Sequence, residues 1–296
     1  VLEHVREDFM TRVTELLDGT GAPWAERSDT LMYLACMHAA GWDTDYADAI
    51  TIAGFGPSFL YSQKNWHAHY WPPPGRDERL AHATGFGFKW RRYDTPEAYW
   101  EGIKAAIDAG KPVYGPYMEG VLFIGYRDGE TREERAVVPI AQVFVDDDWW
   151  SWDKFVDWHQ NHGNGWFGCH TGRVEPWPAR DSAEEVLAFM VRIANRDPRA
   201  RGDVALGPAG IQAYADDLAD LTKSGLDREK GGYFQGGWRG CHNLQPQMSG
   251  RPAAAVYLKR IAPLFESDTQ TRILAAAGHY DSATEAWDAF DHLLGR

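Results

Sequence analysis

Between Pro112 and Val145 the chain carries three short apolar runs, Pro112–Tyr117, Gly120–Gly125 and Ala136–Val145, rich in Val, Ile, Phe and Tyr. Runs of this length and composition predict strands, because β-branched and aromatic side chains suit a pleated surface. The charged stretch Arg127–Arg135 carries Asp128-Gly129 and predicts a hairpin turn between the last two runs. Strands this close together in sequence make an antiparallel sheet.

On either side of that sheet the hydrophobic period is helical. Residues 3–18 place Val5, Phe9, Val13, Leu16 and Leu17 at helical spacing and stop at Gly19. A second helix is expected from Asp29 to Ala40, ending at Gly41. A third reaches Ile52 after the cap-type residues Asp43, Thr44 and Asp45. Gly54–Gly87, with Pro72-Pro73-Pro74 at its middle, reads as a long irregular excursion kept ordered by its aromatic residues. Asp94-Thr95-Pro96-Glu97 opens a helix that runs to Ala109 and ends at Gly110. A helix over 151–159 and a last strand over 169–177 follow the sheet. Beyond Asp181, helices are expected at about 182–196, 208–223, 251–264, 269–278 and 283–294. Capping boxes at Ser182/Glu185 and Ser282/Glu285 mark two of their starts, and glycine-rich Gly225–Gly250 reads as an ordered crossing segment. The fold class expected is α+β, with residues 1–180 as a domain of helices and antiparallel sheet and residues 181–296 as a helical region packed on it.

Composition narrows the function classes. The formal net charge is −13, and the only dense basic run is Lys89-Trp90-Arg91-Arg92. That balance disfavours nucleic acid, whose binding requires many phosphates to be neutralised, and it permits a cationic or amine-bearing small molecule as the partner. Fourteen tryptophans, concentrated between Trp66 and Trp177, either fill an aromatic core or line a pocket. The apolar runs are about half the roughly 20 residues that span a bilayer, so no membrane segment is expected. The charged opening Val1-Leu2-Glu3-His4-Val5-Arg6-Glu7-Asp8 lacks the apolar core of a signal peptide. Three dispersed cysteines, Cys36, Cys169 and Cys241, suit a reducing compartment. Together these point to a cytoplasmic protein.

One stretch carries a family likeness. Gly41 follows the helix-opening Ser28 by thirteen residues, and Glu119-Gly120-Val121-Leu122-Phe123-Ile124-Gly125-Tyr126-Arg127-Asp128 reads as a strand carrying Gly-Tyr. These resemble the papain-like domains of bacteriocin-exporter peptidases and the N-terminal domain of the butirosin-pathway acyltransferases. In those domains a cysteine opens the helix, a histidine opens the strand, and an aspartate ends the next strand. Gly41 with Gly54-Phe55-Gly56 and Phe59 is similar to a phrase in the acyltransferases. The resemblance implies a papain-like fold over roughly residues 24–280. It also implies a degenerate centre, in which Ser28, Glu119 and Asp146 stand where Cys, His and Asp are found.

A serine hydroxyl needs an adjacent matched base, and a glutamate at its ordinary pKa of about 4.3 is a poor one. Two carboxylates in one cleft push one pKa up, which suits proton abstraction from an ammonium. The reaction expected is therefore carboxylate base catalysis on an amine-bearing substrate, for example an intramolecular displacement closing an aziridine ring. That chemistry is similar to the aziridine-forming proteins of azinomycin-type antibiotic biosynthesis. The candidate catalytic residues are Glu119, Asp146, Ser28 and Asp29. The candidate substrate-binding residues are Trp24, Trp66, His67, His69, Tyr117 and Arg91, with Arg92 as a further donor to a departing group.

Plainer roles stay open for each. Ser28 is a favoured helix cap, and Asp29 suits a first helical turn. Glu119 serves equally as an exposed strand-start residue, and Asp146-Asp147-Asp148 as a solvated turn. Two further functions stay open as well: serine-dependent acyl or amide transfer through Ser28, and a non-catalytic protein that binds a ligand or steadies a partner. His67, His69 and His82, or His159, His162, Cys169 and His170, have side chains able to bind zinc. Their spacing does not single out a metal, and none is expected. Gly54-Phe55-Gly56 and Gly85-Phe86-Gly87 lack the remaining features of a dinucleotide fingerprint, there is no P-loop, and no cofactor is expected. The composition leaves room for a small partner protein or a homodimer.

Overall fold

The computed structural model describes residues 2–5, 7, 28–42, 44–62, 67–68, 75–115, 120–140, 149–163, 165–195, 204–219 and 250–293. The chain is a mixture of helices and antiparallel sheet, an α+β protein. It divides into two compact units. One holds Val1–Pro23, Arg27–Tyr46 and Leu80–Pro176; the other holds Trp24–Glu26, Ala47–Arg79 and Trp177–Arg296.

The first unit is built on a seven-stranded sheet. The expected runs become β5 (Val113–Gly115), β6 (Val121–Asp128) and β7 (Ala136–Ile140). Two strands come from elsewhere: β4 (Phe86–Arg92) and β9 (Trp166–Arg173). With β8 (Trp150–Ser151) the order is β4-β9-β5-β6-β7-β8, and β1 (Leu2–Val5) pairs antiparallel with β6. Gly125 makes that last pairing possible, because a Cβ there would stand 2.8 Å from the His4 carbonyl oxygen and 3.1 Å from the Val5 Cα.

One face of the sheet is covered by α4 (Pro96–Asp108) and α5 (Trp152–Trp158). Thr95 caps α4 by accepting from the Ala98 N–H, with Pro96 at its first turn, and the left-handed Gly110 follows its end. Ser151 caps α5 in the same way, accepting from Lys154. Tyr99, Trp100, Ile103 and Ile107 meet Val113, Val121, Phe123, Trp150, Phe155 and Trp158 in one buried cluster. Its rings prefer edge-to-face contacts, such as Phe123 to Trp158 at 5.1 Å and Trp100 to Trp152 at 5.8 Å. The tryptophans of this cluster are therefore core, each stabilising the fold by about 1.5–3 kcal/mol through burial. Helix α1 (Ser28–Ala39) contacts β5 and β6.

Among its described residues the second unit contains α2 (Tyr46–Ala53, its first residue belonging to the other unit), the short strands β2 (Leu60–Ser62), β3 (His67–Ala68) and β10 (Val204–Leu206), and four further helices. These are α6 (Ala179–Asn195), α7 (Gly207–Ala219), α8 (250–261) and α9 (Ser267–Leu293). The strands pair antiparallel in the order β10-β2-β3. Arg79 lies on α3 (Arg76–Thr84) and closes the end of α2, donating from Nε to the Ile52 carbonyl and from Nη2 to that of Ala53, both at 2.9 Å. Its guanidinium lies 3.8 Å from the centre of the Phe189 ring. Desolvation brings its pKa down to about 10.

Four expectations are corrected. Residues 2–5 form a strand and not the start of a helix, because the edge of β6 offers backbone partners that helical periodicity cannot compete with. The rest of that expected helix lies mostly outside the described residues. The Gly54–Gly87 excursion, expected to be irregular from its Gly, Pro, His and Trp content, holds β2, β3, α3 and the start of β4. Ser182 sits inside α6, its N–H bonded to the Pro178 carbonyl, so the helix starts a turn earlier than its capping box implies. The two last helices are one, α9. Gly278 costs it only about 1 kcal/mol, and Thr284 returns its hydroxyl to the Tyr280 carbonyl within the helix. Among the described residues no helix is long and apolar enough to cross a membrane.

Candidate functional site

Strands β4 and β9 pair with Lys89 opposite Cys169 and Arg91 opposite Phe167. Cross-strand partners share a face, and neighbours along a strand alternate. Lys89, Arg91, Phe167 and Cys169 therefore stand on the face that α4 covers. Phe88 and Trp90 stand on the other, where Tyr114 meets them at 6.4 and 5.4 Å. Gly168 is confined to that second face, since a Cβ there would lie 2.5 Å from the Phe88 ring.

Toward the cleft, helix α4 presents the small residues Gly102, Ala105 and Ala106, and Ala109 follows just past its end. The space they leave is a cleft of about 430 Å³, bounded by Lys89, Arg91, Tyr93, Lys111, Phe167 and Cys169. Lys89 and Arg91 are exposed and Lys111 is half-buried. None of the three enters an ion pair among the described residues. The basic side chains around them do: Arg92 with Asp94 at 3.8 Å, Arg132 with Glu97 at 2.7 Å, and Lys104 with Asp128. Three cations without acid partners on one small cleft, in a chain of net charge −13, create a local positive field that attracts an anion.

The thiol in this cleft is held protonated. Burial pushes Cys169 up, and the opposing pull of Lys111 and Arg91 does not overcome it. Cys36, fully buried on α1, is pushed well above the ordinary thiol value by burial, with Cys169 adding to the effect. His170 follows Cys169 on β9 and so faces the other way, against Trp42 and Phe86 at ring distances of 5.9 and 5.8 Å. Neither of its ring nitrogens has a hydrogen-bond partner among the described residues. Burial, with a smaller contribution from Lys111, lowers its pKa to about 4 and keeps it neutral. Adjacent strand residues on opposite faces do not form a thiol–imidazole pair.

Of the catalytic and substrate-binding candidates read from the sequence, the structure places Arg91 in this cleft, and Cys169 and His170 of the second zinc-capable set also line it. Ser28 and Asp29 open α1, and His67 lies on β3 opposite Ser62; the side chains of all three lie outside the described residues. Trp24, Trp66, His69, Tyr117, Glu119 and Asp146 lie wholly outside them. The connection that contains Tyr117 and Glu119 departs from Gly115. Through the pairing with β9, that is the end of the sheet at which Arg91 and Arg92 leave β4. His82 lies on α3, and His159 Nε2 is 3.1 Å from the Tyr93 carbonyl. Among the described residues no group of three or more His, Cys, Asp or Glu is arranged to hold a metal. Lys89, Lys111 and Cys169 were not recognised as cleft residues from the sequence. Read at period two, Phe86–Arg92 would have put Lys89 and Arg91 on one face. Comparison of the chain with protein-family models, curated proteins and solved structures finds no match.

Proposed function

We propose that the chain is a biosynthetic enzyme of specialised metabolism, on a papain-like α+β scaffold, in which a substrate's own amine displaces an anionic leaving group. The observation that carries this reading is the convergence of Lys89, Arg91 and Lys111, without ion-pair partners among the described residues, on one cleft. Cations so placed stabilise charge that develops on a departing oxygen. A sulfate or phosphate ester is the leaving-group class they suit.

Before the amine attacks, its ammonium must lose a proton, and Glu119, helped by Asp146, is the proposed base. The nitrogen lone pair then forms a C–N bond as the C–O bond of the ester breaks, and the bonding pair leaves with the anion. Where amine and ester sit on neighbouring carbons, the product is an aziridine. Protonated thiols at the buried Cys36 and the half-buried Cys169 support chemistry that does not use sulfur.

The test is to incubate the purified protein with 2-aminoethyl hydrogen sulfate and related amine sulfate and phosphate esters, measuring released anion and ring-closed product. Release above background, reduced at least tenfold in Glu119→Gln and in Arg91→Ala, is expected. No release from any such ester refutes the reading.

A second reading, a non-catalytic protein that binds an anionic ligand, is favoured by the absence of any carboxylate among the described residues lining the cleft. Binding that survives Glu119→Gln and Asp146→Asn, with no product formed by the parent protein, decides for it. Serine-dependent acyl transfer would instead give a covalent adduct lost in Ser28→Ala.

A further inference from the structure

The second unit holds a separate cavity of about 220 Å³. Its walls are mainly apolar, with Ile193 from α6, Ile211 from α7, and Ala283 and Trp287 from α9, and His279 of α9 also lines it. Arg251, only 6% exposed, also lines it. Its Nη1 donates to the Pro57 carbonyl at 2.9 Å and, more weakly, to that of Gly56 at 3.5 Å, and its guanidinium carbon lies 5.6 Å from the centre of the Tyr280 ring.

Both hydrogen-bond partners are uncharged carbonyls served by one nitrogen, out of the five N–H groups that a guanidinium carries. No carboxylate pairs with Arg251 among the described residues. Burial lowers its pKa, yet a guanidinium stays protonated in proteins, so the site holds a desolvated positive charge with no counter-charge. That arrangement is costly unless something neutralises it. Arg79 shows the contrast: also buried, it spends its fork on two helix-end carbonyls and lies in the field of Glu185.

We propose that this cavity binds a small apolar carboxylic acid, its carboxylate on Arg251 and Tyr280 and its hydrocarbon part against Ile193, Ile211 and Trp287. Arginine matches the two carboxylate oxygens with parallel N–H groups. One guanidinium and mainly apolar walls suit a monoanion with a hydrophobic body over a phosphate or sulfate. The volume equals roughly seven water molecules at about 30 Å³ each, which fits an aromatic or short-chain acid and excludes a long-chain one.

The experiment is calorimetric titration with benzoate and hexanoate, each paired with its neutral amide, of the parent protein and of Ala283→Leu. The added side chain fills the cavity while leaving Arg251 in place. At least one acid should bind at least tenfold more tightly than its amide, and Ala283→Leu should weaken that binding at least tenfold. Arg91→Ala, which alters only the other cleft, should leave it unchanged. If neither acid binds, if amide and acid bind alike, or if Ala283→Leu binds as the parent does, Arg251 only latches residues 56–57 and the proposal is overturned.

Discussion

Replacing Gly115 by alanine sets two effects of opposite sign against each other, and the distances decide between them. Inside a strand, alanine should be better than glycine by about 0.5–1 kcal/mol, because glycine loses more backbone freedom on folding. The new Cβ, however, would lie 2.7 Å from two atoms of the Trp158 ring and 3.1 Å from the Phe123 ring, where carbon contacts settle at about 3.5–4.0 Å. The indole would have to retreat by roughly 1 Å. Its other contacts leave little slack: a Cβ at Gly163 would also meet Trp158 at 2.7 Å, and Phe123, Phe155 and Tyr99 pack around the ring. Overpacking costs about 1–3 kcal/mol, and with the ring boxed in by these contacts the upper half of that range applies, so after the glycine-to-alanine gain the net effect is a loss of about 1–2 kcal/mol. At roughly 2–4 °C per kcal/mol for a unit of this size, Tm should fall by about 2–8 °C in scanning calorimetry. Gly278→Ala is the control, since nothing lies within 4 Å of its added Cβ, and it should gain up to about 1 kcal/mol in helix α9. A Gly115→Ala protein melting at or above the parent's temperature would refute the packing argument.

His170 should make stability depend on pH. Its folded pKa of about 4 lies below the unfolded value of about 6.5. Its contribution is therefore complete above pH 6.5 and is lost as the pH falls toward 4, where the unfolded chain takes up the proton first. Over that window the Tm of His170→Phe should fall less than the parent's, and parallel curves would count against the buried neutral imidazole. Arg79→Ala should cost about 2–3 kcal/mol in urea denaturation, since it leaves the Ile52 and Ala53 carbonyls without their donor. Arg79→Lys should recover less than half of that, because an ammonium cannot serve both carbonyls and lie flat over Phe189; full recovery would show that only charge matters there.

Local signals in the sequence were read well where the chain's own chemistry decided the outcome. Thr95-Pro96 and Gly110 bound α4 because cap and left-handed turn are properties of those residues. The Val-, Ile- and Phe-rich runs became β5, β6 and β7 for the same kind of reason. What stayed hidden depends on distant partners. Leu2–Val5 is a strand only because Gly125 lets it approach β6. Lys89 and Arg91 line a cleft only because β9 holds them on one face and the opposing turns of α4 carry nothing larger than alanine. Arg251 is buried through contact with Pro57, 194 positions away, and sequence spacing holds no trace of that.

The central claim, that Lys89, Arg91 and Lys111 form a seat for an anionic group, is tested most directly by equilibrium titration of 2-aminoethyl hydrogen sulfate into the parent protein and into Arg91→Ala. A charge-assisted hydrogen bond to an anion contributes about 1.5–3 kcal/mol when sheltered, and the exposure of Arg91 argues for the lower end. Saturable binding that weakens about tenfold in the variant, and weakens with added salt as exposed charges are screened, is the predicted result. Affinity unchanged by the loss of Arg91, or no binding to the parent at low salt, would contradict it.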